Sequence, residues 1–255
     1  MNTSSGANHP ERYARFPIQD IARAPDVSRW HSLPCYRHQS IAEHQYLVGM
    51  YARELLVCIM PEATVIDRLL LLEYISFHDI PEVLTGDMPT PVKRFFERHF
   101  ADGISPLSAL EESICPELKQ LSDSIRGTPM ERIAKLADIL DAIKFIREEG
   151  KHQSNLYESV TDLRGSMMSA IQALLEPDES TRKEGLELVL ESLKKADELE
   201  KQDPINRISI ERTDAYKARV ESSRAEYPDL NWDAAYDVLD RVLNGQHLQI
   251  DFIER

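Results

Sequence analysis

The stretch LEYISFHDIPEVLTGDMPTPVKRFF, residues 72–96, decides how the chain is read. It continues an apolar run (Leu69, Leu70, Leu71, Leu72, Tyr74, Ile75, Phe77) that ends abruptly in the pair His78-Asp79. Apolar residues on nearly every side of an eleven-residue window, Asp67 to Phe77, predict a central, buried helix. Burying a carboxylate at its end is costly unless that carboxylate is paired, protonated or bound to a cation. Pro81, Gly86, Pro89 and Pro91 then mark a structured turn region, where a soluble enzyme keeps its chemistry.

Outward from this stretch the pattern stays helical. Ser40 caps a helix over Ala42–Met60, with Leu47, Val48, Tyr51, Leu55 and Cys58 on one face and Pro61 at its end. Val92–Phe100 and Pro106–Ser124 read as helices, the second broken near Pro116. Thr128-Pro129 starts a long helix, Met130–Glu149, with an apolar stripe of Ile133, Leu136, Ala137, Leu140, Ile143 and Ile146. Leu163–Leu175, Glu184–Lys201 and Trp232–Leu243 follow, separated by the charged turn Glu176–Lys183 and by Pro204. Gly is scarce, no alternating run is flanked by hairpin turns, and the expected architecture is an all-α bundle. Residues 11–150 form its core and residues 151–255 a helical extension packed on it.

The formal net charge of −14 disfavours DNA or RNA as a partner but not a small phosphorylated substrate, because a few arginines in a cleft override a distant field. No apolar stretch reaches the ~20 residues of a membrane span. The first residues lack a signal-peptide core, and Cys35, Cys58 and Cys115 read as free thiols. The expected compartment is the cytoplasm.

A metal at His78-Asp79 needs further ligands. His44 lies on the apolar face of its helix, and Asp138 sits between Ala137 and Ile139 in the long helix. Two imidazoles and two carboxylates suit Mn, Fe, Co or Zn, with Mg also compatible, and leave coordination positions for water and a phosphoryl oxygen. Taken singly, each residue has an ordinary alternative. His44 serves equally as a hydrogen-bonded core residue, and Asp138 as a partner for Lys135 or Arg132.

The string HDIPEVLTGDMPTPVKRFF resembles the signature of the HD-domain 5′-deoxynucleotidases, bacterial nucleotide phosphatases. SRWHSLPCYRHQSIAEH resembles that family's Arg-Trp pair, further arginine and Glu-His, here Arg29-Trp30, Arg37 and Glu43-His44. AKLADILDA resembles the segment that carries its last aspartate ligand, here Asp138. Ile80-Pro81 replace smaller residues, and Met88 stands where leucine is commoner. The resemblance covers residues 16–150 and implies an HD phosphohydrolase with one divalent metal on His44, His78, Asp79 and Asp138. It further implies Glu82 as the catalytic carboxylate, Arg29 as the group that orients the phosphate, and Trp30 against the nucleoside. Asp87, Met88, Pro89 and Thr90 then line the substrate pocket. Relatives are typically homodimers that act on deoxynucleoside 5′-monophosphates.

Two alternatives remain open. One is a deoxynucleoside triphosphate triphosphohydrolase, for which Arg37, Lys93, Arg94 and Lys135 are candidate phosphate-tail residues. The other is a catalytically inactive nucleotide-binding protein, against which the presence of Glu82 argues, because a sensor needs no proton-transfer carboxylate.

Overall fold

In a computed structural model, residues 16–99, 106–175 and 178–245 are described. They form helices α1 (Ile18–Ile21), α2 (Ile41–Ile59), α3 (Val65–Phe77), α4 (Glu82–Thr85), α5 (Thr90–His99) and α6 (Pro106–Ile114). Then come α7 (Pro116–Ile125), α8 (Pro129–Glu149), α9 (Ser154–Ala173), α10 (Glu179–Gln202), α11 (Pro204–Glu226) and α12 (Ala234–Asn244). Among the described residues there is no strand, only the isolated bridges Ser28–Ser40 and Cys35–Gly150. The all-α expectation holds. Of the expected segments, residues 11–15, Phe100, Glu176-Pro177 and residues 246–255 lie outside the described residues.

Local chemistry explains where these helices begin. The Ser40 hydroxyl accepts from the Glu43 amide, and Thr64 and Asp67 form a reciprocal capping box that starts α3 two residues before the expected Asp67. Gly245, with φ of 56°, terminates α12 in the left-handed region that glycine tolerates.

The centre of the bundle is α8, not α3. Met130, Ile133, Ala134, Leu136, Ala137, Ile139, Leu140, Ile143 and Ile146 are all buried, and α2, α7, α11 and α12 pack around them. The expectation of a central Asp67–Phe77 helix is therefore corrected. α3 buries only Leu71 and Ile75, while Val65, Ile66, Leu69 and Leu72 face outward. Composition alone does not distinguish a helix enclosed by its own chain from one with a second apolar face left open.

Helix α11 has no counterpart among the expected segments, and Pro204 begins it instead of breaking the chain. That proline occupies the first turn, where its absent N–H has no partner to lose, and the Asp203 carboxylate caps Ile205 at 2.8 Å. Of its 23 residues only Ile205, Ser209, Tyr216, Val220 and Ser223 are buried, so no long apolar stripe advertises it. Tyr216 and Val220 nevertheless join Trp232, Ala235, Val238 and Leu239 of the chain's end in the same apolar core as α2 and α8. Gly150 permits the approach of α11: a Cβ there would lie 2.5 Å from Ile205 Cγ2 and 2.6 Å from the Ile146 carbonyl. A smaller cluster (Phe16, Ala24, Ile41, Ile80, Val83, Cys115, Leu118) seats the turn between α3 and α4. No described helix is long and apolar enough to cross a membrane.

Candidate metal centre and nucleotide site

Three elements converge on one point. His44 comes from the first turns of α2, His78 and Asp79 from the end of α3, and Asp138 from the middle of α8. One ligand atom each from His44, His78 and Asp79 lies within 4.8 Å of the others. His44 Nε2 is 3.2 Å from Asp79 Oδ2 and 3.7 Å from Asp138 Oδ1, and His78 Nε2 is 3.6 Å from Asp79 Oδ2. Asp138 borders this triplet, with Oδ1 towards His44 and its other oxygen accepting from Lys135.

The hydrogen bonds on the far side of each ring set its orientation. His44 Nδ1 donates to Asp141 Oδ2 at 2.6 Å, and His78 Nδ1 donates to the Ile75 carbonyl at 2.6 Å. Both Nε2 atoms are buried and have no hydrogen-bond partner. A buried nitrogen without a hydrogen-bond partner is uncommon, and two that face the same carboxylate, Asp79, make a site suited to a cation. The residues present thus fit a divalent metal.

Charge within the site follows from burial and these contacts. Burial pulls the His44 pKa down, but the carboxylates of Asp141 and Asp79 outweigh it and raise the value to about 9. Burial lowers that of His78. Burial pushes Asp79 up, yet the two histidines and Arg29 hold it well below the usual carboxylate range. Asp138 is likewise lowered, against its burial, by Lys135, His44 and Arg29. Both carboxylates therefore stay ionised at neutral pH, as ligands must.

Glu82 opens α4 and is buried, with Oε1 accepting from Lys93 Nζ at 2.6 Å and Oε2 without a partner. Burial, with Asp79 adding and Lys93 opposing, pushes its pKa up to about 8. Such a carboxyl exchanges a proton near neutrality. Arg29 places Nη1 3.8 Å from Asp79 Oδ2, and both Nε and Nη1 are buried with no hydrogen-bond partner. Unpartnered guanidinium donors beside a cation site suit a phosphate group.

Trp30 holds a left-handed backbone, φ 63°, unusual for a bulky residue. Its ring stacks on Phe145 at 5.8 Å, and Nε1 donates to Gln39 Oε1 at 3.2 Å. Asp87, Met88 and Pro89 are half-buried on the segment between α4 and α5, with Asp87 Oδ2 3.9 Å from His31 Nδ1. Thr90 begins α5, and its side chain lies outside the described residues, as does that of Arg94.

Several partners of these residues come from positions that no local pattern marks. Asp141, three residues beyond Asp138 and also in AKLADILDA, is the buried tether of His44 and accepts from Gln39 Nε2 at 2.9 Å as well. Its only advance signal was an acid on the apolar side of the α8 stripe. Lys93, a candidate for the phosphate tail, is engaged by Glu82 instead. Arg37, another, bonds Glu43 and Glu149 at 2.8 and 2.7 Å. Lys135 bonds Asp138 and lines the adjoining cleft.

Comparison with known proteins identifies the family. A family model described as 5′-deoxynucleotidase YfbR-like matches residues 18–178. A dATP triphosphohydrolase of Acinetobacter phage SH-Ab 15497 is 33% identical over 148 residues, 54% of this chain and 70% of that protein. A 5′-deoxynucleotidase of Photorhabdus laumondii is 30% identical over 152 residues, 53% of this chain and 76% of that protein. Among solved structures, the Cyanophage S-2L HD phosphohydrolase (DatZ) bound to dA and one catalytic Zn2+ ion aligns over 71% of this chain and 97% of that one. The alignment has a TM-score of 0.46 and 21% identity. The family match spans well over half of the 255 residues, and with it the chain belongs to the YfbR-like 5′-deoxynucleotidase family of HD-domain phosphohydrolases.

Proposed function

We propose that this protein hydrolyses deoxynucleoside 5′-monophosphates to deoxynucleoside and phosphate at one divalent transition metal held by His44, His78, Asp79 and Asp138. The observation that carries the proposal is the pair of partnerless, buried Nε2 atoms beside Asp79, adjoining the equally partnerless donors of Arg29. A divalent ion bound there acidifies a water and neutralises a phosphate oxygen, which supplies much of the help that slow phosphate monoester hydrolysis needs. Arg29 orients the phosphate through its planar donor fork. Glu82 takes the proton of the attacking water at its partnerless Oε2 and returns one to the leaving 5′-oxygen. Lys93 fixes the other carboxylate oxygen, so that the reactive one is held in place. Trp30 contacts the nucleoside, and Asp87, Met88, Pro89 and Thr90 line its pocket, with Asp87 accepting from the sugar 3′-hydroxyl.

A second reading, triphosphohydrolysis of deoxynucleoside triphosphates, is favoured by the likeness to the phage protein. Product analysis separates the two. Metal-loaded protein is given the four deoxynucleoside monophosphates, the four triphosphates and their ribonucleotide counterparts. Phosphate released from the monophosphates is the expected result. Tripolyphosphate from the triphosphates moves the protein to the second reading, and equal turnover of dAMP and AMP removes the role of Asp87.

The catalytic residues all fall within 11–150, and the described helices after residue 151 form an extension whose α11 and α12 share the apolar core of α2 and α8. The active form is a homodimer in the cytoplasm. The free thiols Cys35, Cys58 and Cys115 suit that compartment, and the outward apolar side chains Val65, Ile66, Leu69 and Leu72 of α3 supply a surface a second copy can bury. Light scattering should give twice the 29.2 kDa chain mass, with Leu69→Glu shifting it to the monomer. A monomeric wild-type protein would remove the dimer.

A further inference from the structure

Helix α11 begins at Pro204, after the segment 18–178 that matches the family, yet it lines a cleft shared with two of the candidate ligands, His78 and Asp138. A cleft of about 180 Å³ runs from His78 and Asp138 between α3, α8 and α11, and Tyr74, Glu131, Lys135 and Arg219 line it further out. Arg219 is the α11 residue on that wall.

Its position is held from behind. Tyr216 and Val220 flank it on the helix, both fully buried, and the Tyr216 hydroxyl donates to the Ala235 carbonyl at 2.9 Å. The Ser223 hydroxyl donates to the Arg219 carbonyl at 2.8 Å. The guanidinium itself has no ion pair among the described residues. Its neighbours differ, since Arg132 pairs with Glu226, and Arg224 with Glu221 and Asp233. In a chain of net charge −14, an arginine without a carboxylate partner on the wall of an active-site cleft lacks an obvious structural task. The acids of the cleft are already engaged: Glu131 accepts from the Gly127 amide at 2.8 Å, and Asp138 accepts from Lys135. Lys135 uses one of its three donors on Asp138 and keeps two for a ligand.

We infer that Arg219 and Lys135 form a subsite for phosphoryl groups beyond the one at the metal, so that α11 enables this chain to hold a deoxynucleoside polyphosphate. The inference rests on the phosphate-binding reading of the metal centre given above. Its charge logic is direct. A triphosphate brings several negative charges into an acidic protein, and two fixed cations along the cleft offset that mean field locally. Arginine suits the task because its planar fork meets two phosphate oxygens at once.

Calorimetric titration of metal-loaded Glu82→Gln protein with dAMP and with dATP tests the subsite, the two probes sharing base and sugar. Adding Arg219→Gln should weaken dATP binding about tenfold to a hundredfold, as loss of a charged hydrogen-bond donor does. dAMP binding should stay within about twofold. Arg219→Lys, which keeps the charge and loses the fork, should recover part of the dATP affinity. Unchanged dATP affinity in Arg219→Gln, with dAMP still bound, overturns the subsite and leaves the metal-centre reading standing. If the Arg219-intact protein binds neither nucleotide, the metal-centre reading falls and the subsite falls with it.

Discussion

Glu82→Gln lowers turnover of the preferred deoxynucleotide about 10²–10⁴-fold, the usual worth of a positioned acid–base group, while metal content and fold persist. The amide matches the carboxylate in shape but neither accepts nor returns a proton. The site explains why this residue, and not another nearby acid, has that effect. Asp79 and Asp138 are held far below neutrality by the histidines and cations around them and stay ionised at any working pH. Glu82 is pushed up to about 8 by its burial and by Asp79, with Lys93 restraining the rise. It is thus the carboxyl of the centre whose proton moves near neutrality. Loss of Lys93's charged partner costs little stability, since the lysine side chain is 31% exposed and can be solvated. Turnover within about threefold of wild type, with metal retained, would remove Glu82 from the chemistry.

Asp141→Asn weakens metal binding about 10–100-fold, although Asp141 touches no metal. Its carboxylate accepts from His44 Nδ1 and from Gln39 Nε2 on the same oxygen, Oδ2. The asparagine carbonyl can keep both bonds, so the variant loses the charge and not the geometry. The hydrogen bond to Asp141 makes His44 the more basic, and a proton occupies it up to about pH 9 in the absence of metal. Metal must displace that proton. Affinity in the wild type therefore climbs as pH rises towards 9, by up to about tenfold per unit from this group, and levels off above it. In Asp141→Asn the His44 pKa falls, and the climb ends at lower pH. Competition with a chelator across pH 6–9 reads both effects. Equal affinities and equal slopes for the two proteins would show that Asp141 only fills space.

The helices and the candidate ligands differed in how openly the sequence declared them. α2 and α8 were legible because a stripe at helical spacing, a capping residue and a proline are local signals. The ligands His44, His78, Asp79 and Asp138 stood out as polar residues on apolar faces, and resemblance to the family sharpened that selection. α11 was hidden because its buried face mixes serine with Ile205, Tyr216 and Val220, and because Pro204 reads as a breaker when it is a first-turn residue. α3 was misplaced in depth for the opposite reason, since an apolar surface awaiting a partner has the same composition as a core.

By itself, then, the sequence determined what depends on neighbours a few residues apart: the helical class, the His78-Asp79 turn and the residues able to bind metal. Tertiary structure alone decided which groups meet across long separations. Asp141 reaches His44 across 97 positions, Gln39 reaches Asp141 across 102, and α11 delivers Arg219 to the cleft of a site built from α2, α3 and α8. No local period records such pairings, because they arise only when the apolar stripes of separate helices find a common core. The polar groups on those helices are then buried together and must satisfy one another or a ligand.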